Sequence, residues 1–82
     1  GSRVDLNLDA LQGECRVEVL DEKGRPISGF VGEAAIAIRG ADSLQVSPGW
    51  RKHRDLKSLK GRVIQLRVRL TNAKLFAFQI RD

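Results

Sequence analysis

Apolar and polar side chains alternate at every second residue over much of this chain, a period that puts one row on each face of a β-strand and that an α-helix does not accommodate. Val4, Leu6 and Leu8 alternate with Arg3, Asp5, Asn7 and Asp9. Beyond Gln12-Gly13, Cys15, Val17 and Val19 alternate with Glu14, Arg16 and Glu18, which predicts a second strand of the same kind. Leu44 and Val46, set among Ser43, Gln45 and Ser47, predict another before Pro48-Gly49. Ile64, Leu66, Val68 and Leu70 alternate with Gln65, Arg67 and Arg69 in the clearest strand of all. Thr71-Asn72-Ala73-Lys74 reads as a turn into a last strand whose Phe76, Phe78 and Ile80 share one face.

Turn chemistry separates these segments. Asp21-Glu22-Lys23-Gly24 combines an acidic opener with a glycine able to take positive φ, and Arg25-Pro26-Ile27 resumes an extended path that Pro26 bars from the centre of a ladder. Asp55-Leu56-Lys57-Ser58-Leu59-Lys60-Gly61 has a capping aspartate, leucines three apart and a terminal glycine, the marks of one short helical turn near 55–60. The apolar run Ala34–Ile38 fits helix or strand equally, and we read it as extended. With 82 residues there is room for one small domain. The fold class expected is all-β, an antiparallel β-sandwich of jelly-roll kind or a partial barrel, with five to six short strands. Gly1-Ser2 reads as the remnant of a cleaved purification tag, and residues 3–82 as the domain.

Several classes are excluded by what is scarce. No apolar run approaches the roughly 18 residues of a membrane-crossing helix, so no membrane role is expected. One cysteine and one histidine build neither an internal disulfide nor a four-ligand zinc site. No metal or cofactor is expected, and cysteine usage leaves the compartment unknown.

The net charge of +5 is local. Residues 51–62 hold six of the 15 cations and one of the 10 anions, leaving nine of each elsewhere. Arg51, Lys52, His53 and Arg54 in that loop are candidates for binding an anionic glycan or another polyanion, through charge-assisted hydrogen bonds; a solvated connector is the plainer reading. No nucleic-acid-binding signature accompanies the loop, so nucleic acid is not the favoured partner. Trp50 beside it either stacks on a sugar or base or fills the core, and scarcity of aromatics favours the core. Arg67 and Arg69 offer a flat basic patch on the solvent face of their strand. His53 invites comparison with Asp42, Ser43 or Asp55 as catalytic partners, but a histidine in a cationic loop is disfavoured in its charged form. No catalytic residue is assigned.

The order Leu6-Asn7-Leu8-Asp9-Ala10, Arg16-Val17-Glu18-Val19-Leu20-Asp21, Gly24-Arg25-Pro26-Ile27, Gly29-Phe30, Gly40, Asp42-Ser43, Trp50, Asp55-Leu56, Leu59-Lys60-Gly61 and Leu66-Arg67-Val68-Arg69-Leu70 with Leu75-Phe76-Ala77-Phe78 resembles a known module. This is the β-sandwich near the carboxyl end of many secreted, glycoside-hydrolase-like bacterial proteins, often ones with β-propeller domains. The resemblance implies a non-catalytic accessory module, secreted, with a structural, assembly or weak glycan-binding role. The family module has further strands upstream of residues 3–9, and the segment Val31 to Ala37 is more apolar here than in the family. A sandwich short of its first strands exposes apolar residues and unpaired edges, which predicts self-association by edge pairing or strand exchange. The alternative reading is a small basic module that binds polyanion or nucleic acid through 51–62; a third is a small hydrolase acting on an anionic ester with His53.

Overall fold

The computed structural model describes residues 3–81, with the side chains of 41, 43–45 and 81 outside the description; Gly1 and Ser2, read as a tag remnant, and the side chains of Ser43, Leu44 and Gln45 therefore lie outside the described residues. Four strands and two 3-10 turns follow one another: β1 (Arg3–Asp21), η1 (Gly32–Ala34), β2 (Ile38–Val46), η2 (Lys57–Leu59), β3 (Ile64–Thr71) and β4 (Lys74–Arg81). The sheet is antiparallel throughout, and β1 is the partner of every other strand. The all-β, antiparallel class read from the alternation is the class observed.

The strand count is smaller than the alternation predicts, for one reason on each side of a single crossing. The two segments on either side of Gln12-Gly13 are one continuous strand of 19 residues. Opposite them, β3 and β4 do not form a hairpin. Leu6 pairs with Val46 of β2 and with Phe78 of β4, and Glu14 pairs with Arg39 of β2 and with Thr71 of β3. Hence β3 and β4 occupy the same edge of β1, end to end, and the chain from 64 to 81 runs back along β1 as one interrupted strand. The expected reversal at Thr71–Lys74 is a kink: Asn72 takes φ 51 and its side-chain amide donates to the Gln12 carbonyl at 2.9 Å. Asn tolerates this left-handed conformation better than most residues.

Between the pairs Asp9↔Lys74 and Glu14↔Thr71, β1 spends residues 10–13 while its partner spends only 72–73. That excess is a bulge, and it moves the buried face from even-numbered to odd-numbered residues. Val4, Leu6, Leu8 and Ala10 lie in the core before it, and Cys15, Val17 and Val19 after it. The bulge also bends the strand. Nineteen extended residues would span about 60 Å, whereas the longest dimension of the molecule is 33 Å. The single sheet therefore curves over itself in a sandwich-like way, and both halves of β1 contribute to one core. Gly13 permits the crossing, since a Cβ there would lie 2.0 Å from the Thr71 carbonyl oxygen and 2.3 Å from that of Asn72.

Phe30, Ala35, Trp50, Leu56 and Leu59 close the core from the connections. The helical turn forms where expected: the Lys57 amide donates to Asp55 Oδ1 at 2.9 Å, the leucines three apart both point inward, and Gly61 follows at φ 85. The Asp21 turn also forms as read, its Oδ1 accepting from the amides of Lys23 and Arg25 at 2.9 Å each. The Arg25 amide is the largest of several influences holding that carboxyl below its ordinary pKa. The ambiguous segment divides: η1 takes Gly32–Ala34, Ala35 bridges to Trp50, and strand resumes at Ile38.

Candidate functional site

Trp50 and His53 close a tight turn on each other, the Trp50 amide donating to the His53 carbonyl at 2.8 Å and the His53 amide to the Trp50 carbonyl at 3.1 Å. Arg51 and Lys52 form its tip. The turn is pinned to the segment after η1, with the Arg51 amide on the Ala34 carbonyl at 2.9 Å and the Ile36 amide on the Gly49 carbonyl at 3.0 Å. Trp50 itself is in the core: its indole N–H donates to the Val17 carbonyl at 2.8 Å and its ring lies 5.2 Å from Phe30. Its polar atom is satisfied and it is almost wholly buried, so the indole offers a ligand no more than the edge that lines a cavity beside Arg54. The His53 imidazole stacks on the same Phe30 ring, 4.4 Å away and 14° from parallel.

The cations of the basic loop separate into two places. Arg51, Lys52 and His53 line an open cavity of about 380 Å³ with Ser28, Gly29 and Glu33. Gly29 stands at φ 89 at the side of this cavity, and a Cβ on it would approach His53 Nε2 to 3.4 Å. Arg54 instead faces a second cavity of about 370 Å³, shared with Trp50, Arg3, Ser47 and Asp55. The first brings three donor groups around one carboxylate, an arrangement able to hold a small polar anion or hydroxylated ligand. Arg3, Ser28 and Glu33 were not legible as members of these cavities, because nothing in their spacing ties them to residues 51–54.

Arg67 and Arg69 are brought together, but around a protein carboxylate. Both guanidinium groups bond Glu18 Oε1, Arg67 through Nε at 2.9 Å, while the Gly32 amide donates to Glu18 Oε2 at 2.6 Å. Glu18 is 3% exposed. The Gly32 amide is the largest influence on it, opposed by burial and reinforced by both arginines, and the carboxyl is held down to about 2. The expected basic patch is thus partly neutralised from beneath. The catalytic partners considered for His53 are dispersed. Asp55 Oδ1 accepts from the Lys57 amide, one residue ahead of Leu56, which takes the N-cap position expected of the aspartate, and Asp42 lies on β2 opposite Asp9.

Among the described side chains, the most exposed apolar surface on a strand is on β4. Phe78 and Ile80 pair with the buried Leu6 and Val4 and so lie on the core side of the sheet, yet Phe76, Phe78 and Ile80 are 64%, 58% and 44% exposed. Among the described residues β4 pairs with β1 alone, so its outer edge has no strand beside it. Alternation identified these three as one face but did not reveal that the face is uncovered. No family model matches the chain, and neither curated proteins nor solved structures give a match.

Proposed function

We propose that the chain is a non-catalytic accessory module of a larger, secreted, glycoside-hydrolase-like protein, and that it acts by association rather than by turnover. The observation that carries this reading is β4, an edge strand whose exposed Phe78 and Ile80 lie opposite buried β1 residues, with the exposed Phe76 beside them at the bulge. Contiguous apolar surface of this kind marks an interaction site in a small folded domain. The resemblance noted in the sequence supplies the glycoside-hydrolase setting. Structural attachment within the parent protein and weak glycan binding are the roles it supports. Affinity electrophoresis through neutral and acidic polysaccharides tests the glycan arm: retardation by one of them is expected, and uniform absence leaves the structural role alone.

A second reading, binding of a polyanion, is favoured by the cavity that gathers Arg51, Lys52 and His53. In that case affinity for heparin or nucleic acid falls steeply with added salt, and the triple variant R51A/K52A/R54A weakens it by tenfold or more, on the order of 1–2 kcal/mol. Absence of binding at low salt removes this reading.

A further inference from the structure

Natural sheets protect an outer strand with proline, inward charges, bulges or a covering loop. β4 has only a bulge at Phe76, opposite Asn7 and Leu8; it contains no proline or glycine, and its charged residues, Lys74 and Arg81, stand at its ends. We propose that this strand pairs antiparallel with the β4 of a second copy, about a two-fold axis through Phe78, continuing the sheet across the dimer. The proposal rests on the association reading above and names its partner.

The register follows from what a two-fold demands. The same surface must match itself, and residues directly opposite in an antiparallel pair lie on one face. Centring on Phe78 sets Phe78 against its own copy and Phe76 against Ile80, so the three exposed apolar residues meet only one another. Lys74 is carried past Arg81 of the other copy. Centring on Ala77 would set Ile80 against Lys74. An axis midway between 77 and 78 would oppose Lys74 to Arg81 and Phe76 to Gln79, joining like charges and crossing the faces. Charge and apolar matching therefore select the same centre.

Affinity is set by the area available. At about 200 Å² for a large side chain, the exposures of 64%, 58% and 44% amount to roughly 300 Å² per copy, about half of what the smallest specific interfaces bury. Paired backbone and flanking side chains supply the rest, which places the dissociation constant in the micromolar range, on the order of 1–100 μM. Each copy carries a net charge of +5, so added salt tightens this contact by screening repulsion, opposite in sign to polyanion binding.

Sedimentation velocity from about 1 to about 500 μM brackets that affinity. The expected result is a monomer–dimer equilibrium that strengthens with salt and that F78K weakens at least tenfold while strand circular dichroism is kept. Register is read by oxidation. Phe78→Cys forms a disulfide with itself, whereas Phe76→Cys and Ile80→Cys each stay uncross-linked alone and cross-link when mixed, because only facing positions come within disulfide reach. The wild type, with Cys15 buried, is the uncross-linked control. A monomer at every concentration overturns the proposal, and so does self-linking of Phe76→Cys in place of the mixed pair. If a monomer is still retarded by a polysaccharide, the glycan arm of the association reading stands and the dimer alone fails; a monomer that is also inert to every polysaccharide removes both the dimer and the glycan arm and leaves only attachment within the parent protein.

Discussion

Glu18 shows how much one side chain organises. It sits between Val17 and Val19, on the face of β1 away from the core, where alternation predicts a solvated polar residue. Its carboxylate instead ties β1 to the Gly32 loop and to both arginines of β3. Replacing it by Gln leaves two guanidinium groups without their counter-charge and is expected to cost about 1–3 kcal/mol in urea unfolding at neutral pH. The pH dependence has a definite sign. The folded carboxyl is held near 2, below its ordinary 4.5, so protons favour the unfolded chain; the contribution is complete above about 4.5 and is lost as pH falls towards 2. Denaturation at successive pH values should therefore show a fall in stability below pH 5 that E18Q makes shallower. Gly13 is the second such position. Because its missing Cβ would meet backbone rather than a movable side chain, Gly13→Ala is expected to lower stability by about 2–4 kcal/mol, read as a drop in thermal midpoint. The sequence marked Gly13 as a break, since a glycine after glutamine reads as a turn, and only the neighbouring strand reveals that it is a crossing.

Among the elements, those with a local cause were legible and those with a distant cause were not. The Asp21 turn and the Asp55 helical turn follow from side chains bonding amides two to four residues away, and both form as read. The faces of the strands follow from parity, which places Ile64, Leu66 and Val68 against the core. The joining of β3 to β4 has no local signature, because Thr71-Asn72-Ala73-Lys74 has the composition of a reversal and the difference lies in which edge of β1 it follows. Asn72 holds that junction at φ 51. Asn72→Val, β-branched and unable to bond the Gln12 carbonyl, is expected to cost about 1–3 kcal/mol in chemical denaturation, whereas Asn72→Gly should be close to neutral. The candidate site divides along the same line. Arg51, Lys52 and His53 are adjacent in sequence and share a cavity, but Arg54, one residue on, faces another because the Trp50–His53 turn closes before it.

For the molecule as a whole, the placement of β1 sets when folding can occur. Residues 3–9 find their neighbours at 74–81 and residues 14–21 theirs at 64–71, while β2 pairs with β1 alone. Contacts so remote in sequence must pay for closing long loops before burial rewards them, which places folding in the millisecond-to-second range, slow for a chain this small. Stopped-flow refolding followed by the fluorescence of Trp50 checks this, and a microsecond phase carrying the full amplitude would contradict it. During synthesis the consequence is sharper: Leu6 and Leu8 are made about 35–40 residues ahead of their β2 partners Val46 and Ser43, and about 70 ahead of their β4 partners Phe78 and Leu75. The first half of β1 therefore gains a neighbour on one edge midway through synthesis of the domain, and its other edge stays open and adhesive until residues 74–81 are released.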